Sequence, residues 1–170
     1  VVGFSCTSPV FKHAVALARE LKRRNPKVRT VFGGFHPSAV PQDCLDEEAV
    51  DQVVVGEGEA AFLSILEGET GRIVQGTRFQ GFGGIFPDRP LVKNVRTVDL
   101  CQKMIGKRST SFVSNRVCPF QCAFCSEKAV TGAFHRTTNP VREREPGHLL
   151  EEIQRVHRDC RLDYFKFADA

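Results

Sequence analysis

The sequence predicts an α/β protein, with a Rossmann-like, flavodoxin-type parallel sheet followed by the first elements of a partial β/α (TIM-like) barrel. Two observations support this fold class. In the first 80 residues, short apolar strands alternate with segments whose apolar residues recur at helical spacing. After residue 110, a strand, a long loop, a helix and another strand follow one another. Strands that alternate with helices at this spacing form parallel sheets.

The first part of the chain divides into three strands and three helices. The predicted strands cover residues 1–5, 28–32 and 52–55, and the predicted helices cover residues 10–24, 42–48 and 60–66. Ser8 followed by Pro9 is typical of a helix start, since serine caps the free N–H groups and proline fits the first turn. Asn25-Pro26 ends the first helix, and Gly68 ends the third.

Three loops rich in glycine or hydroxyl groups follow the ends of these strands. They cover residues 5–8, 33–36 and 56–59. Ligands of open parallel sheets bind beyond the carboxyl ends of the strands. The three loops are therefore expected to line one rim of the sheet.

The remaining elements suggest a second domain. Ile73-Val74 is expected to start an edge strand, and residues 81–109 are expected to be a connector. From residue 110 we predict a strand over 110–114, a helix over 147–159 and a strand over 162–167. The predicted domains are thus 1–80 and 110–170. Both chain ends lie inside predicted strands, so we expect a fragment of a longer polypeptide, cut at both ends.

Composition excludes several classes of protein. The chain has 170 residues, 41% hydrophobic and 26% charged, and a net charge of +4. There is no run of 18 apolar residues and no secretory leader, so neither a membrane span nor export is expected. Basic residues are interleaved with acids, which does not favour nucleic-acid binding. Seven cysteines without a leader indicate a reducing, cytoplasmic location.

Three cysteines lie within eight residues, as Cys118-x3-Cys122-x2-Cys125. Clustered thiolates suit zinc or an iron–sulfur cluster. Structural zinc takes four ligands, so a zinc site would need His135 or a distant cysteine as the fourth. An iron–sulfur cluster held by three cysteines would keep one iron open to a small ligand. The other cysteines are expected to be small buried residues or incidental thiols: Cys6, Cys44, Cys101 and Cys160.

The Cys118–Cys125 segment, with Phe124 directly before the third cysteine, resembles the signature of the radical S-adenosylmethionine enzymes. This resemblance implies that Cys118, Cys122 and Cys125 hold a 4Fe–4S cluster whose open iron binds S-adenosyl-L-methionine. It also implies that Phe124 lies against the adenine and that Asp169 lies near the methionyl amino group. The implied chemistry is reductive cleavage to a 5′-deoxyadenosyl radical, with a one-electron reductant such as flavodoxin or ferredoxin as partner.

The three rim loops together resemble the cobalamin-binding domain found ahead of many radical S-adenosylmethionine cores. The resemblance implies that a set of small residues contacts the nucleotide tail of cobalamin: Ser5, Thr7, Gly33, Gly34, Gly56 and Gly58. Glycine lets the backbone approach a bulky ligand closely. His36 follows the Gly-Gly turn and is interpreted as a loop or surface residue, while His13, His148 and His157 are expected to be solvated and His135 is kept as a neighbour of the cluster.

The resemblance implies an enzyme acting on a small molecule, most commonly by methyl transfer to an unactivated carbon or phosphorus. Radical cyclisation and methylthio transfer are alternative reactions. A cobalamin carrier or a zinc-stapled interaction module is a non-enzymatic alternative. Two β/α elements cannot close a barrel, so the fragment is expected to be inactive on its own, and its exposed sheet edge is expected to favour aggregation.

Overall fold

A computed structural model describes residues 1–79, 84–91, 94–120, 122–127 and 141–169. The chain divides into two compact units. Residues 1–79 belong to the first unit, together with the described residues from 120 to 127. The second unit holds the described residues of 84–119 and 141–169. The helices in these ranges include none long and apolar enough to cross a lipid bilayer.

A sheet of four parallel strands forms the centre of the first unit. The strands are β1 (Val2–Ser5), β2 (Thr30–Gly33), β3 (Gln52–Val55) and β4 (Ile73–Gln75), in the order β1-β2-β3-β4. In the register of this sheet, Ser5 pairs with Gly33 and Val55 pairs with Gln75. The loops after β1, β2 and β3 therefore leave from the same edge. The predicted Rossmann-like parallel sheet is confirmed.

Four helices connect these strands: α1 (Ser8–Arg24), α2 (Phe35–Ala39), α3 (Pro41–Leu45) and α4 (Gly58–Leu66). Helix α1 begins with Pro9 in its first turn and ends in three cations, which suit the negative end of the helix dipole. Its buried residues are Phe11, Ala14, Val15 and Ala18. Their spacing of three, one and three keeps them on one helix face, so α1 packs on the sheet with that face.

Successive residues of β2 and β3 pack into two different hydrophobic cores, one on each face of the sheet. Phe32 and Val53 pack in a cluster with the buried face of α1 and with Cys44 of α3. Their neighbours Val31 and Val54 pack with Ala61 and Ile65 of α4. Because successive strand residues point to opposite faces of a sheet, helices cover both faces. All four strand residues are at most 3% exposed, so the sheet is buried on both sides.

The second unit contains two helices and four strands within the described ranges. They are α5 (Asn94–Ile105), β5 (Ser109–Phe112), β6 (Asn115–Arg116), β7 (Arg142–Glu143), α6 (Pro146–Cys160) and β8 (Tyr164–Phe167). Strand β5 pairs with β8 in parallel, with Phe112 opposite Phe167, and β6 pairs with β7 in antiparallel. The order of β5, α6 and the parallel β8 is the β/α unit predicted for the start of a barrel.

A buried group of charges joins the elements of this unit. Glu152 on α6, which is 2% exposed, accepts hydrogen bonds from Arg89 at 2.7 Å and from Arg144 at 2.5 Å. Arg89 also donates to the carbonyl of Ser111 on β5 at 3.2 Å, and Arg144 donates to the carbonyl of Val113 at 3.3 Å. The Arg89 guanidinium lies 4.5 Å from the centre of the Phe112 ring. One carboxylate thus joins α6, the end of β5 and two loops.

Two segments of this unit differ in detail from the sequence predictions. The segment over 81–109, predicted to be a connector, contains the twelve residues of α5, a helix that the sequence did not suggest. The strand expected over 110–114 covers Ser109–Phe112, and a second short strand, β6, precedes the cysteines. The segment around His135 lies outside the described residues. The predicted domain boundaries stay predictions.

Candidate functional site

A cavity of about 550 Å³ opens at the carboxyl ends of β1, β2 and β3 in the first unit. It is lined by Gly3, Phe4, Ser5, Val31, Gly33, Gly34, Val54, Gly56, Gly58, Glu59 and Phe62. Five of the six residues that the sequence suggested for a cobalamin tail belong to this lining. The sixth, Thr7, precedes α1 as its N-cap residue and does not line the cavity. Their roles in ligand binding stay predictions.

Two glycines of the rim differ in what surrounds them. Gly34 has φ +93°, and a Cβ there would lie 3.0 Å from the backbone nitrogen of Cys6 and from Ser5 Oγ. Any side chain at this position would be strained and crowded. Gly58 has open space, since no atom lies within 4 Å of the position a Cβ would take. Gly58 also lines the cavity, so a bulky side chain at this position would add volume at the cavity wall.

The floor of the cavity is apolar. Val31 and Val54 contribute from the sheet, and Phe62 contributes from α4. A Cβ at Gly3 would meet the Phe62 ring at 3.1 Å, so the glycine on β1 lets this ring lie close over the strand. Polar groups, namely the Ser5 hydroxyl, the Glu59 carboxylate and glycine backbone, lie at the rim. The site suits a ligand with a flat apolar part and a polar part, as in most small-molecule pockets.

Hydrogen bonds between neighbouring loops fix the rim. The Cys6 amide donates to the Gly33 carbonyl at 2.8 Å, and the His36 amide donates to the Cys6 carbonyl at 3.0 Å. The His36 Nδ1 lies 3.1 Å from Ser8 Oγ. The Gly56 amide donates to the buried Ser38 hydroxyl at 3.0 Å. Each loop is thus tied to the next, so the three loops hold a common shape.

Sequence reasoning missed two of these residues. His36 was interpreted as a loop or surface residue, which is wrong, since it is 8% exposed and its ring centre lies 4.1 Å from that of Phe11. Ser38 was not singled out at all, although its hydroxyl holds Gly56. Both contacts join residues far apart in the sequence, and no local pattern predicts them. The interpretation of His13 and His157 as exposed residues is confirmed.

The scattered cysteines behave as structural residues. Cys6, Cys44 and Cys160 are buried and Cys101 is half-buried. Burial raises the pKa of Cys6. For Cys44, burial and then the nearby Cys6, Asp43 and Glu47 raise the pKa to about 12. Thiols that stay protonated are poor nucleophiles and poor metal ligands.

The three clustered cysteines differ from these in their surroundings. All three are free thiols; Cys122 and Cys125 are exposed and Cys118 is half-buried. The Cys125 amide donates to the Cys122 carbonyl at 3.1 Å, which closes a turn between them. Phe124, in the same turn, is 93% exposed. The donor set, accessible thiols without disulfide partners, fits a soft metal or an iron–sulfur cluster.

The geometry of a complete metal site is not formed in the described part of the chain. Within the described ranges, no three side chains of His, Cys, Asp or Glu are grouped so that they could hold a metal ion. Val117, just before Cys118, is buried and has φ +74°, a strained conformation for a β-branched residue. The assignment of the cysteines to a cluster stays a prediction.

Asp169 binds within its own unit. Its carboxylate accepts hydrogen bonds from the Ser114 amide at 2.6 Å, the Ser114 hydroxyl at 2.6 Å and the Asn115 amide at 3.2 Å. Burial alone would raise the pKa of Asp169, but these hydrogen bonds outweigh it and hold the pKa below its usual value. The carboxylate joins the end of β8 to the end of β5. Contact of Asp169 with a methionyl group stays a prediction.

The residues that line the cavity all lie within a segment that matches a known family model. Residues 1–66 match the family model described as B12 binding domain. The chain is 26% identical to an uncharacterised methyltransferase of Pyrococcus horikoshii, over 99% of this chain and 39% of the relative. It is 25% identical to an anaerobic magnesium-protoporphyrin IX monomethyl ester cyclase of Rubrivivax gelatinosus, over 99% of this chain and 33% of the relative.

A third relative carries the most explicit description. It is a cobalamin-dependent radical SAM methyltransferase of Streptomyces tokunonensis, 26% identical over 91% of this chain and 25% of the relative. The chain therefore spans between a quarter and two fifths of the length of these three relatives.

Proposed function

We propose that the chain is part of a cobalamin-dependent radical S-adenosylmethionine enzyme, because residues 1–66 match the model of the B12 binding domain and the chain is similar to methyltransferases and a cyclase. The observation that carries the proposal is the cavity at the carboxyl ends of three parallel strands. Its apolar floor and glycine rim suit a large ligand that has both a flat base and a polar chain. The nucleotide tail of cobalamin has these two parts.

In this proposal the residues of the first unit bind and orient the tail. The backbone of Gly33, Gly34 and Gly56 can approach the ligand closely, since these positions carry no side chain. The Ser5 hydroxyl can donate a hydrogen bond or accept one, and Phe62 and Val54 provide an apolar surface for a base. When bound, cobalamin supplies a cobalt centre that carries a methyl group.

The thiols of Cys118, Cys122 and Cys125 would hold a 4Fe–4S cluster, and S-adenosyl-L-methionine would bind beside them. The cluster would supply the electron that cleaves the S–C5′ bond at the sulfonium of S-adenosyl-L-methionine. The exposed ring of Phe124 offers a surface for a nucleoside base, and this role would explain why an aromatic residue stands uncovered in the cysteine turn. Asp169 would act by fixing the end of β5, two elements before the first cysteine.

Methyl transfer to an unactivated carbon of a small molecule is the reaction that we propose, because two of the three relatives described above are named as methyltransferases. A cyclase is the second candidate, supported by the name of the Rubrivivax relative. A cytoplasmic one-electron reductant such as flavodoxin or ferredoxin would be the partner. The complete enzyme would need the parts that the relatives have beyond this chain.

Binding of hydroxocobalamin tests the cavity. We expect the 170-residue chain to retain hydroxocobalamin in equilibrium dialysis, and Gly58→Leu to weaken binding at least tenfold by filling open space. Ala60→Leu is the matched control, since it adds the same bulk to an exposed position in the first turn of the same helix. Equal binding by wild type and Gly58→Leu would refute the assignment of the cavity.

Anaerobic reconstitution with iron and sulfide tests the cysteines separately. We expect wild type to take up iron and acid-labile sulfide, and Cys122→Ala to lose most of both while it still binds hydroxocobalamin. Cys101→Ala is the control, since Cys101 is a half-buried residue of α5. Uptake of zinc without sulfide would instead support the zinc-stapled module.

A further inference from the structure

The last residues of the first unit lie directly against a loop of the cavity. These residues, 76–79, are called the exit segment here, because the chain passes from Phe79 into the second unit. The Gly76 amide donates to the Val55 carbonyl at 2.7 Å. A Cβ at Gly76 would lie 2.0 Å from the Glu57 carbonyl oxygen and 2.7 Å from the Glu57 nitrogen. The backbones of the two segments are therefore in close contact, and a side chain at Gly76 would separate them.

Glu57 adds a side-chain contact to this backbone contact. Its Oε2 accepts a hydrogen bond from the Phe79 amide at 2.9 Å. Glu57 is 9% exposed, which is a low value for a carboxylate. A hydrogen bond from an amide to a carboxylate is about twice as strong as one between neutral groups. Glu57 thus holds the far end of the exit segment, while Gly76 holds the near end.

The residues on either side of Glu57 line the cavity. Gly56 and Gly58 both belong to the lining, and the Gly56 amide donates a hydrogen bond to the Ser38 hydroxyl. With φ +94°, Gly56 turns the chain so that the strand end leads into α4. The loop of residues 56–59 therefore contacts Ser38 and the exit segment, and it also lines the cavity.

We propose that Glu57 couples occupancy of the cavity to closure of the exit segment. Closure here means that the Phe79 amide donates its hydrogen bond to the Glu57 carboxylate. A ligand that rests on Gly56 and Gly58 restricts the loop, and a restricted loop holds the Glu57 carboxylate in place for the Phe79 amide. The inference rests on the proposed function, because it takes cobalamin as the ligand of the cavity. It goes further by making the link between the two units sensitive to whether cobalamin is bound.

Coupling of this kind is reciprocal. If ligand binding shifts the equilibrium toward the closed exit segment by some factor, then loss of closure lowers the affinity of the cavity for the ligand by the same factor. Couplings in proteins are typically about 5- to 150-fold. The two effects can be measured independently, one as a dissociation constant and the other as exchange of a single amide hydrogen.

The test compares Glu57→Ala, Glu57→Gln and the control Glu67→Ala in the 170-residue chain. Glu67 is an exposed carboxylate at the end of α4. The probe is hydroxocobalamin, and NMR follows exchange of the Phe79 amide hydrogen. In wild type we expect hydroxocobalamin to slow Phe79 exchange about fivefold or more. In Glu57→Ala we expect this slowing to vanish and the dissociation constant to rise by a similar factor.

Glu57→Gln keeps an acceptor oxygen of the same size, so both effects should be intermediate, and Glu67→Ala should match wild type. If hydroxocobalamin binds Glu57→Ala as tightly as wild type and leaves Phe79 exchange unchanged in wild type, the coupling is refuted and the proposed function stands. If wild type does not bind hydroxocobalamin, both fail together. A variant that has lost the dispersed amide signals of a folded chain is replaced by Glu57→Gln in the comparison.

Discussion

The most direct test of the second unit is to remove the charge of Glu152. The substitution Glu152→Gln keeps the size of the side chain but takes away the carboxylate between Arg89 and Arg144. The side chains of Glu152, Arg144 and Arg89 are 3%, 5% and 16% exposed. Water therefore cannot replace the lost partner, and two cations lose their counter-charge.

The size of the effect follows from this burial. Breaking a buried ion pair by removing one partner costs about 3–5 kcal/mol. Arg89 keeps the Ser111 carbonyl at 3.2 Å and Arg144 keeps the Val113 carbonyl at 3.3 Å, which offset part of the loss. We therefore expect the lower end of the range, about 3 kcal/mol. This corresponds to roughly a hundredfold change in the equilibrium constant for the opening of the second unit that exposes the β5 amides to exchange.

Native-state hydrogen exchange of the β5 amides measures this change. Glu151→Gln is the matched control, since Glu151 precedes Glu152 on α6 and pairs with Arg155 in an exposed position. Such an exposed pair contributes about 0.3–0.5 kcal/mol. If Glu152→Gln and Glu151→Gln change the protection of β5 by the same amount, the claim that burial makes this ion group important is refuted.

Three further predictions concern single residues. The lowered pKa of Asp169 means that its contribution to stability is present above the unfolded pKa of about 3.9 and is lost as pH falls through the lower folded pKa. The free energy of unfolding should therefore fall less steeply with decreasing pH in Asp169→Asn than in wild type, and equal slopes would contradict this role. Gly34→Ala should lower the free energy of unfolding in urea by about 1–3 kcal/mol, since φ +93° with ψ −162° is a conformation restricted to glycine. A decrease below a few tenths of a kcal/mol would contradict the claim that this backbone conformation is strained for alanine. Cys44 should resist alkylation by iodoacetamide in the folded chain while Cys122 reacts, as mass spectrometry of the digested protein would show; equal labelling would exclude the raised pKa.

Most of the first unit could be predicted because its signals are local. The strand over Gln52–Val55 agrees with its prediction, and α1 begins two residues before the predicted start. The five-residue helix α2 was missed, because it is too short for a periodic pattern and contains Pro37. Helix α5 was missed for a different reason. Val98 is fully buried while Leu100, Met104 and Ile105 are exposed, so its apolar residues do not mark one buried face.

The candidate site likewise combines features that the sequence predicts with contacts that it does not predict. The glycines of the rim could be proposed from the sequence because each follows a strand end, and parallel pairing brings strand ends to one edge. The contacts that fix the rim could not be foreseen in this way. Ser38 reaches Gly56 across 18 positions, and Glu57 reaches the Phe79 amide across 22. Such contacts depend on how loops pack after folding, and no spacing of residue types encodes them.

The alternation along β2 and β3 ties the binding pocket to the stability of the domain. Val31 and Val54 form part of the pocket floor, while the adjacent Phe32 and Val53 lie in the opposite core. Because the period of a strand is two residues, inserting or deleting one residue would exchange these roles. A phenylalanine would then enter the pocket and a valine would leave a hole in the core. Changes in length are thus excluded from these strands, and ligand preference can be adjusted only by substitution in place or in the loops beyond them.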